Sequence, residues 1–164
     1  MAFMHTGHII GLQPVADTST TQNHPLGTIV TATDPTLGVG EFIYLKGVAS
    51  TVVGSIVNYD NNFQTELDTS AVSGPSRPLA VSMSANVASQ YGWYQISGLA
   101  VATKANTVSF ADGAGLGAAA GLAVAVATGT VIQSAVVRTV ASAKSDVTTV
   151  AIAINRPHDP SDVS

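Results

Sequence analysis

The chain has 164 residues, of which only 10% are charged and 46% are hydrophobic, and its mean hydropathy is +0.34. Ordinary globular domains carry roughly a quarter of their residues as Asp, Glu, Lys and Arg, which keep them apart in solution. So little charge leaves a near-neutral skin of Ala, Thr, Ser, Val and Gly, the kind of surface that ends up against another protein. The length fits one domain with a two-layer core, and the absence of Cys excludes a disulfide framework and thiolate chemistry. Residues 1–76 hold six acids against Lys46, a balance of −5, while residues 77–164 hold five bases against four acids, a balance of +1. The bases are singly scattered, which excludes a nucleic-acid surface, since phosphate binding needs clustered cations.

Residues 1–25 mix short apolar pieces (Phe3, Met4, Ile9, Ile10, Leu12) with the polar run Asp17–Asn23, and read as an irregular arm. Fully extended, at about 3.3 Å per residue, such an arm reaches on the order of 80 Å, enough to cross onto an adjacent subunit. The first residues show no basic region followed by an apolar run, so no secretory signal is expected.

From Leu26 the pattern becomes strand after strand. Gly27–Thr33 is β-branched and runs into Asp34-Pro35-Thr36-Leu37-Gly38, where Pro fixes φ and Gly permits positive φ, as a turn requires. Further strands are expected at Glu41–Lys46, Thr51–Val53, Ile56–Tyr59, Leu79–Met83, Trp93–Ser97, Leu99–Thr103, Leu122–Ala127, Val131–Val137 and Val147–Ile154. Many short strands with regular turn signals predict an all-β, single-domain, jelly-roll-like sandwich or barrel over residues 26–155, with a polar tail at 156–164. In Leu122–Ala127 and Val150–Ile154 a large residue alternates with Ala, which predicts one face of bulk turned to the core and one smooth face. Gly40–Ala49 also echoes Gly92–Ala100: an aromatic-rich strand runs into Gly47 or Gly98, where a bulge or close backbone approach is expected.

The chemical motifs are weak. Gly113, Gly115 and Ala118 match a relaxed dinucleotide pattern, but no helix follows and no acid stands about 20 residues on. The stretch Gly113–Val131 is uncharged and has GxxxG spacing at Gly117 and Gly121, yet it is mostly Ala and Gly without aromatic or basic flanks, so a membrane span is not expected. The alternating oxygens of Asp60–Asp68 resemble a calcium loop, but the sixth and twelfth places hold Thr65 and Ala71 where Gly and Glu are needed. An exposed polar edge with Phe63 and Leu67 facing inward explains the alternation better. His5 and His8 lack a third ligand nearby, and all four histidines, His5, His8, His24 and His158, read as solvent-exposed loop residues. The sequence thus assigns no catalytic, cofactor or metal residues, and the chain is not expected to be an enzyme.

Ala32-Thr33-Asp34-Pro35, Gly38–Val48, Pro78–Met83, Tyr91–Gly98 and the Ala/Gly-rich segment beyond resemble the small capsid cement (decoration) proteins of tailed bacteriophages, over roughly residues 26–154. The resemblance implies an all-β domain on the outer surface of the virion. There it would bind the major capsid protein and other copies of itself, as dimer or trimer, without nucleic acid or membrane, and clamp neighbouring capsid subunits. Phe3, Ile9, Ile10, Leu12, Tyr91, Trp93 and Tyr94 are the expected interface residues, with the acidic N-terminal half facing capsid or sister subunits. The alternative is a tail-spike or fibre β module that binds host glycans on exposed rings of Tyr91, Trp93 and Tyr94.

Overall fold

The computed structural model describes residues 4–5, 11–69, 76–126, 131–138 and 148–159. These form twelve strands and no helix: β1 (Met4–His5), β2 (Thr18–Ser19), β3 (Ile29–Asp34), β4 (Gly38–Lys46), β5 (Ile56–Tyr59), β6 (Thr65–Leu67), β7 (Leu79–Ser82), β8 (Tyr91–Thr103), β9 (Gly117–Ala119), β10 (Leu122–Val124), β11 (Gln133–Val137) and β12 (Thr149–His158). The architecture is all-β and sandwich-like, with a ten-stranded antiparallel sheet and a small β9–β10 sheet.

Strand β8 organises everything. Trp93–Ser97 and Leu99–Thr103, expected as two strands, are one continuous element that passes through Gly98. Its first half lies between β4 on one side and β7 on the other, and its second half pairs with β12. The junction is a bulge: Glu41 faces Ser97 and Phe42 faces Gln95, which leaves Ile96 as the extra residue. Gly98 has φ of +100°, and a Cβ there would stand 2.5 Å from the Val39 carbonyl oxygen, so only Gly fits. The buried Gln95 side chain stitches the bend, donating from Nε2 to the carbonyls of Ser97 and Leu99 at 3.1 Å each.

The two echoing segments of the sequence are thus direct neighbours, with Ile43 opposite Tyr94 and Tyr44 opposite Trp93. Alternation sends these pairs to opposite faces. Tyr44 and Trp93 join Val15, Val30, Ala32, Phe42 and Met83 in one core; Ile43 and Tyr94 join Leu45, Val57, Ala80 and Ile96 in another. A third core lies where β5 and β7 face the second half of β8 and β12, lined by Ile56, Leu79, Val81, Ala100, Ala102, Val150, Ile152 and Ile154. An apolar crevice of about 10 Å³ within it, lined by Leu79, Leu116, Ile132 and Ile152 among others, is far below the size of a ligand cavity.

Turn chemistry explains two hairpins. The buried Asp34 carboxylate accepts from the Thr36 and Leu37 N–H groups at 2.7 and 2.9 Å, an Asx turn that returns the chain into β4. Between β9 and β10, Ala120 (φ 49°) and Gly121 (φ 79°) form a two-residue loop with both φ values positive, the primed turn that matches strand twist. This hairpin lies in the uncharged Gly113–Val131 stretch, and no helix among the described residues is long and apolar enough to cross a membrane.

Several expectations need correction. Thr51–Val53 is not a strand; it belongs to a turn region in which Val52 and Val53 are exposed. The alternation rule holds in β12, where Val150, Ile152 and Ile154 are buried, but it inverts in β10: Ala123 is buried while Leu122 and Val124 are only half-buried. The small β9–β10 sheet packs its backbone close to the third core, so the small residue is the one that fits. Phe63 and Leu67 are partly buried against the core as expected, but the exposed polar edge ends early: Thr65 and Asp68 are buried, because β6 pairs with β5 and its end packs under the β9–β10 turn. Residues 11–25, read as part of an irregular arm, have irregular backbone but are built into the domain, because Val15 and Gln13 are buried and β2 pairs with β8. At the other end β12 continues through His158, so strand order runs past the expected start of the tail.

Candidate functional site

Two places combine buried polar groups with a specific geometry, and a third is an uncovered face. The first is the aromatic cluster. Tyr44 and Trp93 reach the same face from adjacent strands with ring centroids 4.9 Å apart; Tyr91 stacks on Tyr44 at 6.4 Å. His24 closes the top, edge-on to Tyr44 at 5.1 Å and 5.4 Å from Trp93. Gln13 is its hub. Its N–H donates to His24 Nε2 at 3.1 Å, and its carbonyl accepts from Trp93 Nε1 at 2.9 Å. Its Oε1 accepts from Asn23 Nδ2 and the Tyr44 hydroxyl, and its Nε2 donates to the carbonyls of Asp17 and Tyr91. Burial raises the Tyr44 phenol above its ordinary pKa, and the neighbouring Tyr91 adds to the rise.

This cluster locates the expected interface residues. Leu12 and Tyr91 are partly buried against it, and Trp93 is completely buried inside it. Tyr94 is also completely buried but on the opposite face, where its hydroxyl accepts from Asn86 Nδ2 at 2.9 Å and burial raises its pKa. The structure therefore brings Leu12, Tyr91 and Trp93 together, separates Tyr94 from them, and removes Trp93 and Tyr94 from any free interface. Their burial follows from central strand positions covered on both faces. Phe3, Ile9 and Ile10 lie outside the described residues.

The uncovered face belongs to β1, β3 and β4. Cross-strand partners share a face, and Met4, Thr33 and Val39 form one row across the three strands. Met4 is 66% and Val39 61% exposed, and Ile29, two pairs further along, is 44% exposed. Thr31 and Glu41 lie between, with Glu41 accepting from Arg156 at 3.1 Å. Large apolar side chains thus stand exposed on one face of the sheet, with the Glu41–Arg156 ion pair between the Met4–Val39 row and Ile29.

The remaining place is the end of β6 and β12, where Asp68 and Asp159 are 1% and 9% exposed. Burial, first, and then the neighbouring Asp68 carboxyl push Asp159 up to about 6. Among the described residues no three His, Asp or Glu side chains converge as a metal site. Sequence reading missed Gln13 and Asp159, and it placed His24 in an exposed loop and Asp68 on an exposed edge, whereas His24 packs against Tyr44 and Trp93 and Asp68 is buried. Each is a single polar residue in an irregular or terminal stretch, and nothing in such a stretch announces what it will meet. Comparison with protein-family models, with characterised proteins and with solved structures finds no match.

Proposed function

We propose that this chain is a capsid cement protein of the tailed-phage kind, bound to the outside of a head and bridging neighbouring major capsid subunits. The observation that carries the reading is the uncovered β1–β3–β4 face, on which Met4, Ile29 and Val39 stand exposed in a chain with only 10% charge. Such a face gains by being covered, at roughly 25 cal/mol per Å² of apolar area removed from water. Repeated over a lattice, modest contacts of this kind raise the barrier to shell rupture through multivalency. A jelly-roll order of the strands, self-association as dimer or trimer and a place on the outer virion surface belong to the same proposal. The glycan-binding alternative needs Tyr91, Trp93 and Tyr94 exposed on one platform, and their burial on opposite faces gives it no such support.

The test is co-sedimentation with capsids stripped of their decoration. Wild-type chain is expected to pellet with the particles and raise their disruption temperature; Val39→Lys with Ile29→Lys should fold normally and lose at least about tenfold in binding, as two buried contacts of about 1 kcal/mol or more would require. Unchanged binding of the double variant would remove the face from the interface, and failure of wild type to pellet would remove the cement function. The deletion used should stop at residue 10, because removing residues 1–25 also takes away Val15 and the Gln13 hub from the core.

A further inference from the structure

We infer that the peptide bond between Asp159 and Pro160 is a self-cleavage site, at which the Asp159 carboxyl attacks its own main-chain carbonyl while Ser76 and His158 hold that carbonyl's oxygen. Three observations meet at this one group. Ser76 Oγ donates to the Asp159 carbonyl oxygen at 2.7 Å, and His158 Nδ1 lies 3.0 Å from the same oxygen and 3.2 Å from Ser76 Oγ. A carbonyl oxygen only accepts and the Ser76 hydrogen is committed to it, so His158 carries a proton on Nδ1 and is a second donor. Asp159 Oδ1, in the same residue, is buried without a hydrogen-bond partner, so no bond to it has to break before it turns to attack.

The main chain around the bond is clamped. Asp159 N–H donates to the Arg77 carbonyl at 3.0 Å, and His158 forms an antiparallel bridge with Pro78, which fixes the end of β12 against the segment entering β7. Two donors aimed at one carbonyl oxygen draw electrons from its carbon and stabilise the oxyanion that an attack there creates. The next residue in the sequence is Pro160. Proline has no N–H, so its nitrogen cannot close on the Asp159 side chain to form a cyclic imide, and a tertiary amide nitrogen takes up a proton more readily than an ordinary one.

The reaction balances with one residue and one water. An oxygen of the neutral Asp159 carboxyl forms a C–O bond to the Asp159 carbonyl carbon, closing a five-membered cyclic anhydride. The C–N bond to Pro160 breaks, and the carboxyl proton leaves on the proline nitrogen. Water then opens the anhydride to two carboxyl groups, with Asp159 as the new chain end. Burial, first, and then the Asp68 carboxyl push Asp159 up to about 6, against the opposing pull of Arg77 and His158, so the acid form is present in mildly acidic solution. Cleavage accelerates as pH falls through that value. The Asp34–Pro35 bond is an internal contrast, because Asp34 Oδ1 already accepts from the Thr36 and Leu37 N–H groups at 2.7 and 2.9 Å.

The experiment is incubation of the full chain at about pH 5 and about pH 8, followed by intact-mass spectrometry. Residues 160–164 are expected to be lost roughly 10–100-fold faster at the lower pH, in a first-order reaction independent of protein concentration. Ser76→Ala, a change at an exposed position, should fold and slow cleavage at least about tenfold, since it removes one carbonyl donor. Asp159→Asn should abolish cleavage. Should Asp159→Asn not fold, wild type in urea at the lower pH decides: unfolding is expected to reduce cleavage at Asp159–Pro160 to the rate at Asp34–Pro35, and an undiminished rate overturns the site. An intact chain at both pH values also overturns it. So do equal rates at the two Asp–Pro bonds of the folded chain, an unchanged rate in Ser76→Ala, or a rate that rises with protein concentration, which would assign the cut to a contaminating protease.

Discussion

The Gln13 hub and the Asp68–Asp159 pair are both buried polar clusters at places where an irregular segment meets the sheet, and they resolve burial in opposite ways. At Gln13 an amide, which both donates and accepts, meets a phenol, an indole, an imidazole, an amide and two carbonyls, so every polar group of the residue is used. At Asp159 a group that only accepts when ionised is buried near the Asp68 carboxyl, and its Oδ1 has no hydrogen-bond partner. The first cluster is held by neutral partners and needs the His24 imidazole unprotonated at Nε2. The second is held by backbone bonds of Asp159 to Arg77 and Ser76 while its carboxyl stays poorly matched. What separates the two is the ratio of donors to acceptors that the buried groups bring, more than the depth of burial.

The largest break in this comparison is Trp93→Ala. It empties the centre of the aromatic core and removes the donor to the Gln13 carbonyl, and should cost about 3–5 kcal/mol by urea denaturation, enough to leave a marginal fold. Gln13→Ala comes next, at about 1–3 kcal/mol, because the buried Tyr44 hydroxyl loses its acceptor, keeping only the Asn23 N–H as donor, and the Tyr91 carbonyl loses the Gln13 amide. Glu66→Ala, which removes the solvent-exposed ion pair with Arg77, is the smallest, below about 1 kcal/mol. A larger loss would show that the ion pair also holds the Arg77 contact to Asn58 in place.

Much of the architecture was readable because it follows from local rules. The Asp34–Gly38 turn, the strand at Val150–Ile154 and the special glycine at Gly98 each express a short-range preference of backbone or side-chain alternation, and the structure keeps them. The single β8 was read as two strands because Gly98 looks like a break from sequence; the bulge and the Gln95 side chain carry the strand through it. The β10 alternation inverted because which face is the core depends on the layer it packs against, and a three-residue strand carries no local mark of that.

The candidate site was less legible. Sequence singled out the aromatic residues but could not say that Tyr44 and Trp93 face one way and Ile43 and Tyr94 the other, since that depends on the β4–β8 register and its bulge. By itself the sequence determined an all-β chain with a charge-poor surface and no crosslinks, since composition and period act over a few residues at a time. Only the tertiary structure decided which apolar residues stay exposed on β1, β3 and β4, that residues 11–25 close a core, and that Asp68 and Asp159 are both buried. Those are contacts between distant segments, whose partners are set by register and strand order.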